Sequence, residues 1–125
     1  MKLSANMEDY LEAVSFCADA SGIARVSDIR DMLGVKTPSV TGAMKALAKA
    51  GYVSHEPYKG ILLTAKGRRA AEDVKKRHAI LSRFLTQVLG VNPKTANIDA
   101  CKMEHAVSKE TLEKLHAYLH KIAGK

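Results

Sequence analysis

Three observations predict a mainly α fold with a small β-wing. Apolar residues recur at helical spacing along most of the 125 residues, between Gly, Pro, Ser, Thr and Asn punctuation. One segment, near residues 52–64, breaks that period and carries a turn signature instead. Lysine and arginine crowd the middle of the chain: residues 1–24 balance to −3, 25–83 to +8 and 84–125 to +2, within an overall +7. Hydrophobic residues at 46% and charged residues at 26% are ordinary globular values, so a packed core is expected rather than disorder. The basic excess favours an anionic partner, nucleic acid first. No apolar run approaches the ~20 residues of a membrane span, and MKLSANMEDY lacks the apolar stretch of a signal peptide. Cys17 and Cys101 are too few for a disulfide scaffold, which fits a cytoplasmic chain with reduced thiols.

The first helix is expected from about Asn6 to Ala20, where Met7, Tyr10, Leu11, Val14, Cys17 and Ala18 form an apolar stripe and Ser21-Gly22 ends it. Arg25-Val26 predicts a very short strand. Ser27 is the expected N-cap of a helix over Asp28–Leu33, closed by Gly34. Thr37 and Pro38 give a cap and a first-turn proline for the next helix, which carries Val40, Ala43, Met44 and Leu47 and stops at Gly51. Residues 52–56 and 61–64 read as a hairpin about Pro57-Tyr58-Lys59-Gly60. Thr64 caps a long helix over about 65–89, Asn92-Pro93 opens one over roughly 94–106, and Ser108 caps the last, which holds Leu112, Leu115, Leu119 and Ile122.

Helix, short helix, Gly-containing turn, helix and hairpin is the winged helix-turn-helix order. The second helix of such a pair fits a DNA major groove with its N-terminal residues nearest the base edges. Those residues are Lys36, Thr37, Pro38, Ser39, Thr41 and Gly42, with Lys45 and Lys49 further along. Small hydroxyl side chains suit base edges, and the lysines suit phosphates. The wing tip Tyr58-Lys59 and the following Lys66, Arg68 and Arg69 offer further backbone contacts.

A second set of polar residues is unusual for packing alone. Asp9 and Glu12 are i, i+3 neighbours off the apolar stripe of the first helix. His78 precedes Ile80, Leu81 and Leu85, which look like core. Cys101, Glu104 and His105 form a C-x-x-E-H cluster whose i, i+3 and i, i+4 spacing can bring all three to one side of a helix. Imidazole, carboxylate and thiolate are ligands for a divalent transition metal. Each alone also has a plain structural explanation: a hydrogen-bonded histidine, a small hydrophobe, the wet face of a helix. Cys17 reads as packing, and His55, His116 and His120 as surface histidines.

The segments Met7–Glu12, Ala24–Ile29, Thr37–Thr41, Tyr58–Thr64 with Lys66-Gly67, Arg77-His78 and Ala100–Ser108 together resemble the DtxR/MntR family of metal-dependent transcriptional repressors. The resemblance spans nearly the whole chain. It implies a homodimer with a winged-helix DNA-binding domain over 1–72 and a helical dimerisation and metal-binding domain over 73–125. It further implies activation by Mn2+ or Fe2+, with Co2+, Ni2+ or Zn2+ able to substitute. The active dimer would repress metal-uptake genes at a palindromic operator in double-stranded DNA. Asp9, Glu12, His78, Cys101, Glu104 and His105 stand at the family's ligand positions. The set is a hybrid: iron-type members carry Met where Asp9 stands, and manganese-type members carry a carboxylate where Cys101 stands. Ser82 and Asn97 replace the acid and histidine of the iron-type ancillary site, so that site is not expected. Ending at Lys125, the chain is expected to lack the SH3-like domain of longer members. In the recognition helix, Gly42 replaces a larger polar residue of some members. The residues alone leave open a metal-independent winged-helix binder, and more remotely a small metalloenzyme with Glu104 or Glu12 as base.

Overall fold

The computed structural model describes residues 3–56 and 59–123, which divide into two compact units, 1–73 and 74–125. In the first unit α1 spans Ala5–Cys17, β1 Ile23–Ala24, α2 Val26–Leu33, α3 Thr37–Lys49, β2 Val53–Glu56 and β3 Gly60–Leu63. Helix α4, Ala65–Arg83, begins in this unit and runs into the second. A π-helical turn over Phe84–Val88 continues it, followed by α5 (Pro93–Met103) and α6 (Lys109–Ala123). The fold is mainly helical with one small antiparallel sheet, as the sequence predicts.

Ser4 caps α1, its hydroxyl accepting from the Met7 amide at 3.2 Å. The helix stops at Cys17, three residues short of the expected Ala20. Asp19 is the reason: its Oδ1 accepts from the Ser21 amide, the Ser21 hydroxyl and the Ile23 amide, folding the chain into a turn that feeds β1. Consequently the short strand falls at Ile23–Ala24, two residues before the expected Arg25-Val26, and Val26 is already helical. Helix α2 therefore starts at Val26 without a side-chain cap from Ser27. Gly34, at φ 66°, closes it by donating its amide to the Arg30 carbonyl.

Thr37 lies inside α3 rather than capping it, with Lys36 at the N-cap and Pro38 in the first turn. The apolar face of α3, Val40, Ala43, Met44 and Leu47, is buried against Leu11, Val14, Ile29 and Ile61. The sheet order is β1-β3-β2. Ile23 and Ala24 pair with Leu62 and Ile61, while Val53 through Glu56 pair with Leu63 through Gly60. The wing is thus anchored through β3 to the loop after α1. Thr64 joins it to α4: its hydroxyl donates to the Gly51 carbonyl at 2.6 Å and accepts from the Gly67 amide at 3.0 Å. The cap expected of Thr64 forms.

The expected helix over 65–89 is regular only to Arg83. There the Thr86 hydroxyl bonds the Ser82 carbonyl at 3.0 Å, and the backbone widens into the π turn, ending before Gly90 (φ 70°). Asn92 caps α5 as expected, accepting from the Lys94 amide at 2.9 Å. The helix ends at Met103 instead of 106, because the Ala106 and Val107 amides both turn back to the Met103 carbonyl. Ser108 accepts from the Thr111 amide and starts α6. Leu81, Leu85, Ala96, Ala100 and Leu112 form the core of the second unit. No helix among the described residues is long and apolar enough to cross a membrane.

Candidate metal centre

The second unit brings His78, Cys101 and Glu104 together. His78 stands on α4, Cys101 on the last turn of α5 and Glu104 at the C-cap of that helix, its amide bonded to the Ala100 carbonyl at 2.9 Å. Three residues separate Cys101 from Glu104, so both point to one side, the side His78 occupies. His78 Nδ1 lies 3.1 Å from Glu104 Oε2 and 3.7 Å from Cys101 Sγ. The ligand atoms of the three residues lie within 4.8 Å of one another. His105 falls in the turn after α5, not on the helix, yet its Nε2 still stands 3.6 Å from Glu104 Oε1.

Glu104 has 0% relative exposure and is the one charged residue among those buried in the described part of the chain. A carboxylate is not removed from water without partners that compensate its charge. Around it are two imidazoles and a thiol, each able to present a lone pair once deprotonated. Nitrogen, sulfur and oxygen donors converging on a buried carboxylate fit a divalent transition ion. The thiolate favours Fe, Co, Ni or Zn, and the carboxylate suits Mn as well.

Asp9 and Glu12 belong to the first unit, where both lie half-buried on α1, and neither is without a partner. Cys17 also lies on α1, with its sulfur 4.0 Å from Met32 Sδ. Burial, with Asp28 adding to it, pushes the Cys17 thiol up, as suits a packing residue. His55, His116 and His120 are exposed, as surface histidines should be. Asn97, read at the sequence level only as a missing ancillary ligand, stands 2.8 Å from His78 Nε2. Its position four residues before Cys101 was the available signal, since i and i+4 share a helix face.

The residues expected to face DNA lie along the solvent side of α3. Lys36, Thr37, Pro38, Ser39, Gly42, Lys45 and Lys49 are exposed and Thr41 is half-buried. Thr37 Oγ1 receives a 3.3 Å contact from Arg30 Nη1, and the Thr41 hydroxyl donates to the Thr37 carbonyl at 3.1 Å. Lys59 is exposed at the wing, and Tyr58 lies outside the described residues. Lys66 is committed elsewhere: its ammonium donates to the Ala50 carbonyl at 2.8 Å and sits 4.4 Å above the Tyr52 ring. It clips the start of α4 to the end of α3.

Two family models match the chain in tandem. Residues 2–61 match the N-terminal DNA-binding domain of iron-dependent repressors, and residues 64–124 match their metal-binding and dimerisation domain. An uncharacterised HTH-type transcriptional regulator of Methanocaldococcus jannaschii is 38% identical over 124 residues, covering 98% of this chain and 99% of the relative. The transcriptional regulator MntR of Escherichia coli O6:H1 is 40% identical over 119 residues, covering 95% of this chain and 76% of the relative. A manganese-dependent transcriptional repressor solved with manganese superposes with TM-score 0.82 at 28% identity, over 91% of this chain. The chain spans 52% of that solved protein's length.

Proposed function

This chain belongs to the DtxR/MntR family of metal-dependent transcriptional repressors, and on that premise we propose that Mn2+ or Fe2+ activates it as a cytoplasmic homodimer. The homodimer represses metal-uptake genes at a palindromic operator in double-stranded DNA. The observation that carries the proposal is the convergence of His78 Nδ1, Cys101 Sγ and Glu104 Oε2 around a buried carboxylate. These three and His105 are the ligands of the second unit, over 73–125, and Asp9 and Glu12 those contributed by the first, over 1–72. A bound divalent ion would supply the positive charge that these donors compensate, and ligation of this kind biases a conformational equilibrium.

Lys36, Thr37, Pro38, Ser39, Thr41 and Gly42 enter the major groove. Lys45, Lys49, Tyr58 and Lys59 contact the phosphate backbone. Leu89 and Ile98 in the second unit, 59% and 50% exposed, supply apolar surface of the kind a partner subunit covers.

The test is a mobility-shift titration on a duplex selected from a random library in the presence of Mn2+. Adding Mn2+ or Fe2+ is expected to tighten binding at least about tenfold, within the usual range of allosteric coupling. Chelator should reverse the effect. Glu104→Ala should abolish the response while leaving the helical circular dichroism intact. Tight binding that ignores both metal and chelator would make the chain a metal-independent binder.

A further inference from the structure

Asn97 stands on the α5 face that carries Cys101 one turn later and Glu104 two turns later. Its Oδ1 lies 2.8 Å from His78 Nε2. The opposite ring nitrogen, Nδ1, faces Glu104 Oε2 at 3.1 Å and Cys101 Sγ at 3.7 Å. An amide oxygen only accepts, so Nε2 carries a ring proton in this contact; Glu104 Oε2 is an acceptor as well, so it is a metal ion taking the place of a proton at Nδ1 that would leave the imidazole as its Nε2–H tautomer. A free imidazole shares its proton between the two nitrogens and rotates about its own bond. A hydrogen bond at the far nitrogen removes both freedoms.

The geometry points to Asn97 as the positioning residue that holds His78 in the Nε2–H tautomer, making Nδ1 the metal-ligating nitrogen. The inference rests on the proposal that His78, Cys101 and Glu104 are ligands, and it adds a residue that touches no metal. Asn97 is on the exposed side of α5, with Ala96 and Ala100 on the buried side, so its replacement leaves the core of the second unit in place.

The test uses the full chain with Asn97→Ala, Asn97→Asp and His78→Ala. One readout is the pair of His78 ring 15N shifts in the protein loaded with diamagnetic Zn2+, which report which nitrogen bears the proton and which the metal. The other is affinity for Co2+, followed through thiolate-to-cobalt absorption from Cys101. In the parent, where Asn97 turns its amide oxygen to the ring, and in Asn97→Asp, whose carboxylate offers only acceptors, Nε2 should carry the proton. In Asn97→Ala the tautomers should mix, and Co2+ affinity should fall about 10–100-fold, the usual loss when a partner of a metal-bound histidine is removed. Asn97→Asp should bind Co2+ at least as tightly as the parent.

An Nδ1–H tautomer in the parent overturns the inference, and so does an Asn97→Ala protein with unchanged tautomer and affinity. An Asn97→Asp protein as weak as Asn97→Ala overturns it too, because the amide would then be acting as a donor. If His78→Ala abolishes Co2+ binding while Asn97→Ala changes nothing, the Asn97 inference fails alone. If His78→Ala binds Co2+ as tightly as the parent, the ligand set fails with it.

Discussion

Glu104 decides most at the scale of single residues. A fully buried carboxylate beside His78 and His105 is held by charge compensation, so Glu104→Leu and Glu104→Gln should differ. Either should abolish metal binding, but the apolar replacement should leave the metal-free chain as stable as the parent or more so. Chemical denaturation of both variants checks this, and equal destabilisation by the two would contradict it.

Cys101 is the hybrid element of the donor set. Cys101→Glu replaces a soft ligand by a hard one and should shift preference from Co2+ and Zn2+ toward Mn2+. Competition titrations with the three ions measure that shift, and an unchanged order would remove the thiolate as selector.

Asp19 gives a pH signature in the first unit. The Ser21 hydroxyl first, then the Ile23 amide, hold its carboxyl below the usual carboxylate range. Its contribution is therefore present above the unfolded-state pKa and lost as pH falls through the lower folded-state value. The stability gap between the parent and Asp19→Ala should be widest near neutrality and close in acid.

The sequence made the ligand types and the C-x-x-E-H spacing legible. It did not make Asn97 legible as a partner of His78, because that contact joins residues 19 apart and depends on how α4 and α5 pack.

Two helical glycines separate what packing demands from what propensity suggests at the scale of elements. A Cβ on Gly67 would lie 1.9 Å from the Tyr52 carbonyl oxygen, so the start of α4 packs against the chain entering β2 only because that side chain is absent. Gly67→Ala should cost at least about 2 kcal/mol, as overpacking against backbone does. A Cβ on Gly42 would meet nothing within 4 Å, on the exposed side of α3. Gly42→Ala should therefore stabilise by roughly 0.5–1 kcal/mol. Thermal unfolding of the two variants tests both signs.

Elements whose ends are written in local chemistry were legible: Gly34 and Gly51 stop helices, and Thr64, Asn92 and Ser108 cap them. Ends set by competition were not. Asp19 drew the chain into a turn before α1 could reach Ala20, and pairing with Leu62 and Ile61 placed β1 two residues early. Periodicity cannot report a turn formed by one side chain, nor a two-residue strand whose partner lies 39 positions away.

Across the whole molecule, the proposed function assigns the charge asymmetry to DNA and the donor set to metal. The basic segment 25–83 includes the exposed lysines of α3 and the wing, and the second unit carries the buried carboxylate with its imidazole and thiol neighbours. Removing Lys45 or Lys49 should weaken DNA binding with little regard to sequence and reduce the salt slope by about 1 each.

The central claim is that metal at the His78, Cys101 and Glu104 centre and DNA at α3 are energetically coupled. Coupling of binding equilibria is reciprocal: if metal tightens DNA binding by some factor, DNA must tighten metal binding by the same factor. The direct measurement is Mn2+ affinity by calorimetry, without DNA and with saturating selected duplex, beside DNA affinity with and without Mn2+. The two ratios should agree and exceed about fivefold, the lower end of typical coupling. Mn2+ affinity that is the same with and without bound DNA would contradict the account.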